Sequence, residues 1–232
     1  MAKQAKTRDT SLFLPTTAAE LSARGIGQLD FVYIIGDAYV DHPSFGPAII
    51  SRVLKSHGYT VGILSQPDWH SAEAFRRLGR PRLAFLISAG NIDSMVNHYT
   101  SAKKRRSSDA YTPGGEAGKR PDRATIVYAN RAREAYRGVP VILGGIEASL
   151  RRFAHYDYWD DKVRRSILSD SGADLLIYGM GERQIVEIAD ALAGGLPAEQ
   201  ITYVNGTCYM THSLERVYEY ETIESYEAVA RD

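Results

Sequence analysis

The sequence predicts a doubly wound α/β domain, and three observations carry that expectation. Short β-branched and aromatic runs recur along the chain, and helical periods of apolar residues lie between them. The first run, the helix after it and the second run together occupy about 35 residues, the length of a right-handed parallel crossover. With 232 residues and 44% hydrophobic content the chain can bury a sizeable core. Lys plus Arg and Asp plus Glu each total 28, so no overall field draws it to nucleic acid or to a membrane.

Residues 1–29 are polar and mixed, with Pro15 and Gly25, and are expected to form an arm laid over the domain instead of a core element. Regular structure begins at Asp30. Phe31 to Ile35 is a continuous apolar run ended by Gly36, which fits a strand covered on both faces. Pro47 suits a helix start, Ile49, Ile50, Val53 and Leu54 keep a helical period to His57, and Gly58 stops it. Thr60 to Leu64 reads as the second strand, Leu83 to Ser88 as the third, Val139 to Leu143 as the fourth and Asp174 to Tyr178 as the fifth. Helices are expected over Ser71 to Leu78, from about Ala124 to Tyr136, and over Glu182 to Leu192. Five strands alternating with helices predict an open, mainly parallel, flavodoxin-like sheet spanning residues 30–200.

Between the third and fourth strands, residues 101–122 lack any apolar period and read as an inserted loop. From Ser101 to Arg137 basic residues outnumber acidic ones ten to four. A solvated, mobile loop is the plain reading; a surface for RNA, with weak and salt-sensitive binding, or for another domain of the same protein is the alternative. Residues 201–232 turn acidic after Glu215 and read as the start of a linker.

Cys208 is the single cysteine, which excludes an internal disulfide framework and a self-contained thiolate metal site and fits a reducing, cytoplasmic setting. The N-terminus lacks the apolar core of a secretory signal, and no run approaches the roughly 18 apolar residues of a bilayer span, so no membrane partner is expected.

In a doubly wound sheet, ligands sit outside the carboxyl ends of the strands, so the turns there are the candidate site. Asp37 and His42 follow the first strand, Gly144 and Gly145 the fourth, and Gly179, Gly181 and Glu182 the fifth. Glycines let backbone approach a bulky ligand, and helix starts can receive a polar group; each is equally the device of a tight turn, and Glu182 already answers its own helix dipole. His42 is either a loop histidine tied to Asp41 or backbone, or a ligand-facing imidazole oriented by a carboxylate. The three-glycine dinucleotide fingerprint is absent after the first strand, and the third ends Ser88-Ala89-Gly90-Asn91 without the aspartate of a phosphoacceptor domain. The run Arg151 to Asp161 crowds aromatics, acids and His155, but Tyr158 and Trp159 are the helical neighbours of that histidine, so a packing or docking surface is expected instead of a metal site. No catalytic residue and no metal ligand is assigned.

Four long blocks carry a resemblance: GDAYVDHPSFGPAIISRVL after the first strand, SAGNIDSMVNHYT from Ser88, VILGGIEASLRRFAHYDYWDDKVRRSIL from Val141 and IYGMGERQIVEIADAL from Ile177. From about Leu14 onward the chain resembles the N-terminal, cobalamin-binding-like region of YgiQ-type radical SAM proteins. The resemblance implies a C-terminal partner domain of the same protein, where three cysteines of a CxxxCxxC motif hold a four-iron four-sulfur cluster and S-adenosylmethionine is cleaved to start radical chemistry. This chain has no such motif, so it implies a cofactor-binding or docking role here, with cobalamin as the candidate cofactor. The DxHxxG pattern of cobalt-ligating histidines is not matched, since Asp41 and His42 are adjacent and Gly46 lies four places on. The competing readings are a non-catalytic nucleotide or RNA-binding module and a small transferase with a nucleotide in the crevice.

Overall fold

The computed structural model describes residues 12–215 and 217–231. Its centre is a six-stranded sheet in the order β2-β1-β3-β4-β7-β8. The strands are β1 (Phe31–Ile35), β2 (Val61–Ser65), β3 (Ala84–Ser88), β4 (Val141–Leu143), β7 (Leu175–Ile177) and β8 (Thr207–Tyr209). The first five are parallel, with Phe31 opposite both Val61 and Ala84, while β8 runs antiparallel to β7. The sheet therefore has one strand more than the five expected, and it lies past residue 200, inside the segment read as linker. Three half-buried residues on an edge carry too little hydrophobic signal to be seen without their partner strand.

Helices cover both faces, which is why the central strands are apolar throughout. On one side α2 (Gly46–Ser56) and α7 (Glu182–Ala193) bury Leu54, Ile185, Ile188 and Leu192 against Phe31, Ile35, Ile142 and Leu175. On the other side α4 (Ala124–Ala135) and α6 (Ile167–Ser171) lie over Val32, Ile34, Phe85 and Leu143. Ala124, Ala129 and Ala132 bring the α4 backbone close to the sheet, and Tyr128 fills the space beside Phe75, their ring centroids 5.9 Å apart. Each fully buried Val, Leu, Ile or Phe of these layers contributes about 1.5–3 kcal/mol by leaving water.

The N-terminal segment does more than overlie the domain. Thr17 and Glu20 form a capping box for α1 (Ala18–Ala23), Leu14, Leu21 and Leu29 are buried, and Ile63 N–H donates to Pro15 O at 2.9 Å. The expected helix over Ser71 to Leu78 shrinks to one 3-10 turn at Glu73–Arg76 that seats Phe75 in the core. The Arg151 to Asp161 run is no helix: α5 (Gly145–Leu150) ends before it, and β5 (His155–Asp157) pairs antiparallel with β6 (Lys162–Arg164). Buried Asp157 faces Arg123 at 2.7 Å and Arg164 at 2.7 Å, which holds this hairpin to the body.

The insert, though exposed over residues 101–108, is likewise joined to the body by ion pairs. Short α3 (Ser94–His98) leads into it, capped by Asp93, whose carboxylate also pairs with Arg151. Arg120, fully buried, reaches Asp109 within the insert at 2.9 Å and Asp37 after β1 at 2.8 Å, and donates to Ala89 O at 3.0 Å. At the far end Asp122 takes His98 Nδ1 at 2.6 Å and the Tyr99 hydroxyl at 2.7 Å. A short α8 (Tyr226–Val229) closes the described chain. No described helix is long and apolar enough to cross a membrane.

Candidate functional site

Parallel strands present their carboxyl ends together, so the turns after β1, β3, β4 and β7 share one edge. A cleft of about 340 Å³ opens there between α2 and α7. Tyr33, Leu86, Ile142 and Ile177 form its floor, and Pro47, Ile50 and Ile185 its walls. Gly144, Gly145, Gly179, Gly181 and Glu182 stand around it, with Met180 83% exposed on the rim.

The glycines differ in what they permit. Gly145 holds φ +81°, and a Cβ there would sit 3.1 Å from Ser88 Cβ, so turn and packing both require glycine. A Cβ on Gly181 would approach Ile177 Cγ2 to 2.8 Å. Gly144 has extended backbone, and its nearest neighbour to an added Cβ is Ile177 O at 3.9 Å, so a side chain fits there.

The polar groups of the cleft are few. Burial pushes the Tyr33 phenol up to about 12, and the neighbouring Ser88 hydroxyl only partly relieves it. Ser88 Oγ is buried and has no hydrogen-bond partner of normal geometry among the described residues. Neither α2, which starts after Phe45, nor α7, which starts after Gly181, has a side-chain cap. An apolar slot with two uncapped helix starts is equipped to hold a mostly flat, apolar group with a few polar atoms.

Asp37 and His42 do not line this cleft. Asp37 is occupied internally: Arg120 pairs with it and Asn91 N–H donates to Oδ2 at 2.7 Å. Burial dominates its titration and leaves the carboxyl above its ordinary range despite the pull of Arg120. This pair also fills the space outside β1 and β3, the topological switch point where a ligand would first be sought. His42 is exposed in a separate shallow groove, where its Nδ1 accepts from Ser44 N–H at 3.1 Å. Asp41 pairs with Arg52 and not with the imidazole, so the carboxylate-oriented histidine is not formed. Among the described residues no group of three His, Cys, Asp or Glu could hold a metal ion.

Sequence reading missed Ser88 and Tyr33 as cleft residues, and it missed Glu147, which is 1% exposed. Its carboxylate accepts from Ser94 N–H at 2.8 Å and Thr125 N–H at 2.9 Å, so one side chain satisfies the starts of α3 and α4. A carboxylate beside a Gly-Gly turn was the available signal, but its two targets lie far away in sequence.

Comparison with known proteins agrees with this architecture. A family model described as Radical SAM N-terminal matches residues 13–232. A UPF0313 protein of Clostridium perfringens is 60% identical over 95% of this chain, which covers 33% of that relative. A UPF0313 protein of Clostridium botulinum is 56% identical over 94% of the chain, covering 34% of the relative. The chain thus spans about a third of the length of the curated relatives it matches. In fold it is similar to TsrM, a radical S-adenosylmethionine methyltransferase from Kitasatospora setae solved with tryptophan substrate and a SAM analog, with TM-score 0.52 and 17% identity over 79% of this chain and 29% of that one. Matched over nearly all its length, this chain belongs to the Radical SAM N-terminal family, and it is similar to the N-terminal third of UPF0313 proteins.

Proposed function

We propose that this domain is the accessory, cofactor-binding part of a YgiQ-type radical SAM protein and that the cleft between α2 and α7 is its binding site. The observation that carries the reading is the open apolar floor with two uncapped helix starts beside it, at the carboxyl edge of the parallel sheet. The flat benzimidazole tail of cobalamin fits these residues in kind, with the larger, amide-rimmed corrin at the mouth of the cleft. Tyr33, Ile50 and Ile185 would pack against a flat heteroaromatic portion, Ser88 would give it a polar contact, and backbone at Gly144 and Gly145 would leave room for a broad ring. Bound cobalamin would supply a cobalt centre able to carry a methyl group. The flavodoxin-like description suits the five parallel strands, with β8 as an added edge.

Cleavage of S-adenosylmethionine belongs, in this proposal, to a C-terminal domain of the longer protein. One thiol, Cys208, cannot replace the three that a four-iron cluster needs, and burial pushes that thiol up, away from the ligating thiolate. Exposed Ile146, Leu150 and Phe153 beside the cleft suit contact with that partner domain. Titration of the chain with cobalamin, followed by absorbance and calorimetry, tests the binding reading. Saturable binding at one equivalent supports it, and none contradicts it.

A further inference from the structure

The insert and the β5–β6 hairpin form one surface that the cleft reading does not use. Lys103, Lys104, Arg105 and Arg106 are consecutive and exposed, and none forms a salt bridge among the described residues, although Arg105 lies close enough to Asp122 to help lower its carboxyl. Lys119, by contrast, is paired with Glu116 at 3.1 Å. Aromatic rings from two other segments sit among these cations. Lys103 lies 4.8 Å from the Tyr158 ring centre and Arg105 5.9 Å from that of Tyr99, while Trp159 links the two, 5.6 Å from Tyr158 and 6.5 Å from Tyr99. Backbone anchors fix the arrangement: Tyr158 OH donates to Ser101 O at 2.6 Å and Lys103 Nζ to Trp159 O at 3.2 Å. Tyr158 remains 43% exposed, so part of its ring is open to a stacking partner.

We propose that this cation and aromatic platform binds single-stranded nucleic acid, the cations meeting phosphates and the open ring of Tyr158 stacking on a base. Four adjacent exposed cations, of which only Arg105 feels a nearby carboxylate, supply the charge that a polyanion requires, and an open ring among them adds what a duplex, with its bases stacked inward, cannot use. Membrane binding would call for large exposed aliphatic residues among the cations, and residues 101–108 offer only Ala102. The proposal is independent of the cleft and of any cofactor.

The test is fluorescence anisotropy of the chain with labelled oligo-U and oligo-dT of about 12 nucleotides, and with a duplex of the same length. Four phosphate contacts on a single strand give a salt slope of about −2.8, so affinity should fall about 50-fold between about 50 and 200 mM salt. K104A/R106A removes two cations that hold nothing else in place, and it should bind less tightly with a fall of only about 7-fold over the same range. Tyr158→Ala should weaken binding at least about 5-fold with the slope unchanged, whereas Tyr158→Phe, which keeps the ring, should bind as the unaltered chain does. Either polymer bound supports the proposal, and their ratio identifies the sugar preferred. No binding, equal binding of the duplex, or affinity indifferent to K104A/R106A would each overturn it. Circular dichroism melts confirm that the variants are folded.

Discussion

Arg120, fully buried in the insert, pairs at 2.8 Å with Asp37 at the end of the first strand. Asp109 completes the cluster, so two carboxylates share one guanidinium where the crevice of the parallel sheet begins. Arg120→Leu should destabilise the domain by about 3–5 kcal/mol, because it strands both acids away from water. Asp37→Asn should cost less, about 1–3 kcal/mol at pH 7, since Asn91 N–H and Arg120 now use different oxygens and one amide oxygen can serve only one of them, while Arg120 keeps Asp109. Urea denaturation of both variants measures the contrast. Equal losses would show that Asp37 must be charged.

Glu147 gives a second energetic test. Glu147→Ala leaves the Ser94 and Thr125 N–H groups unpaired at two helix starts, for about 1–3 kcal/mol each. Glu147→Gln keeps one acceptor oxygen and should lose about half as much. The order Ala worse than Gln, read from denaturation midpoints, checks the double-cap role.

Acid stability should follow Asp157. Burial raises its carboxyl, but Arg123 and the Asp160 and Trp159 N–H groups more than offset this and leave it below the ordinary range. A carboxyl lowered on folding contributes stability that is present above its unfolded value and lost as pH falls through the folded one. Stability should therefore drop below about pH 4, and Asp157→Asn should flatten that drop while lowering stability at pH 7. Chemical denaturation from about pH 3 to pH 7 reads both. Asp37, shifted the other way, opposes this trend, so D37N should steepen it.

How much of this was legible depended on whether a residue's partner lay nearby in sequence. Phe31 to Ile35 announced a strand because burial on both faces makes every residue apolar, and Gly58 announced the end of α2. The turn glycines were legible for the same local reason, and five of the seven residues named from the turns stand around the cleft. Arg120 was not, since in a run of ten cations nothing marks the one that meets Asp37 and Asp109 across the fold. His42 misled because an adjacent Asp41 looked like its partner, whereas the helical turn of α2 delivers Arg52 to that carboxylate. Ser88 was noticed for not being an aspartate, and only the packing of α5 on β3 shows that it lines the cleft beside Tyr33.

Iron content separates this domain from the cluster chemistry of its family. After anaerobic reconstitution with iron and sulfide, the purified chain should retain no stoichiometric iron and show no broad charge-transfer band, because Cys208 is its single thiol. About four iron and four sulfide per chain would contradict this.

The most direct measurement is cobalamin binding by the unaltered chain, Gly144→Val and Gly145→Val side by side. Gly144 has extended backbone and space for a side chain, so G144V should fold with an unchanged melting temperature and a partly filled cleft. Gly145 holds φ +81° against Ser88, so G145V should lose about 2 kcal/mol or more of stability, and it serves as the comparison for damage to the fold. The account predicts one equivalent of cobalamin bound by the unaltered chain and affinity reduced at least about ten-fold by G144V with its stability intact. No binding by the unaltered chain, or equal binding by G144V, would contradict the placement of the cofactor in the cleft between α2 and α7.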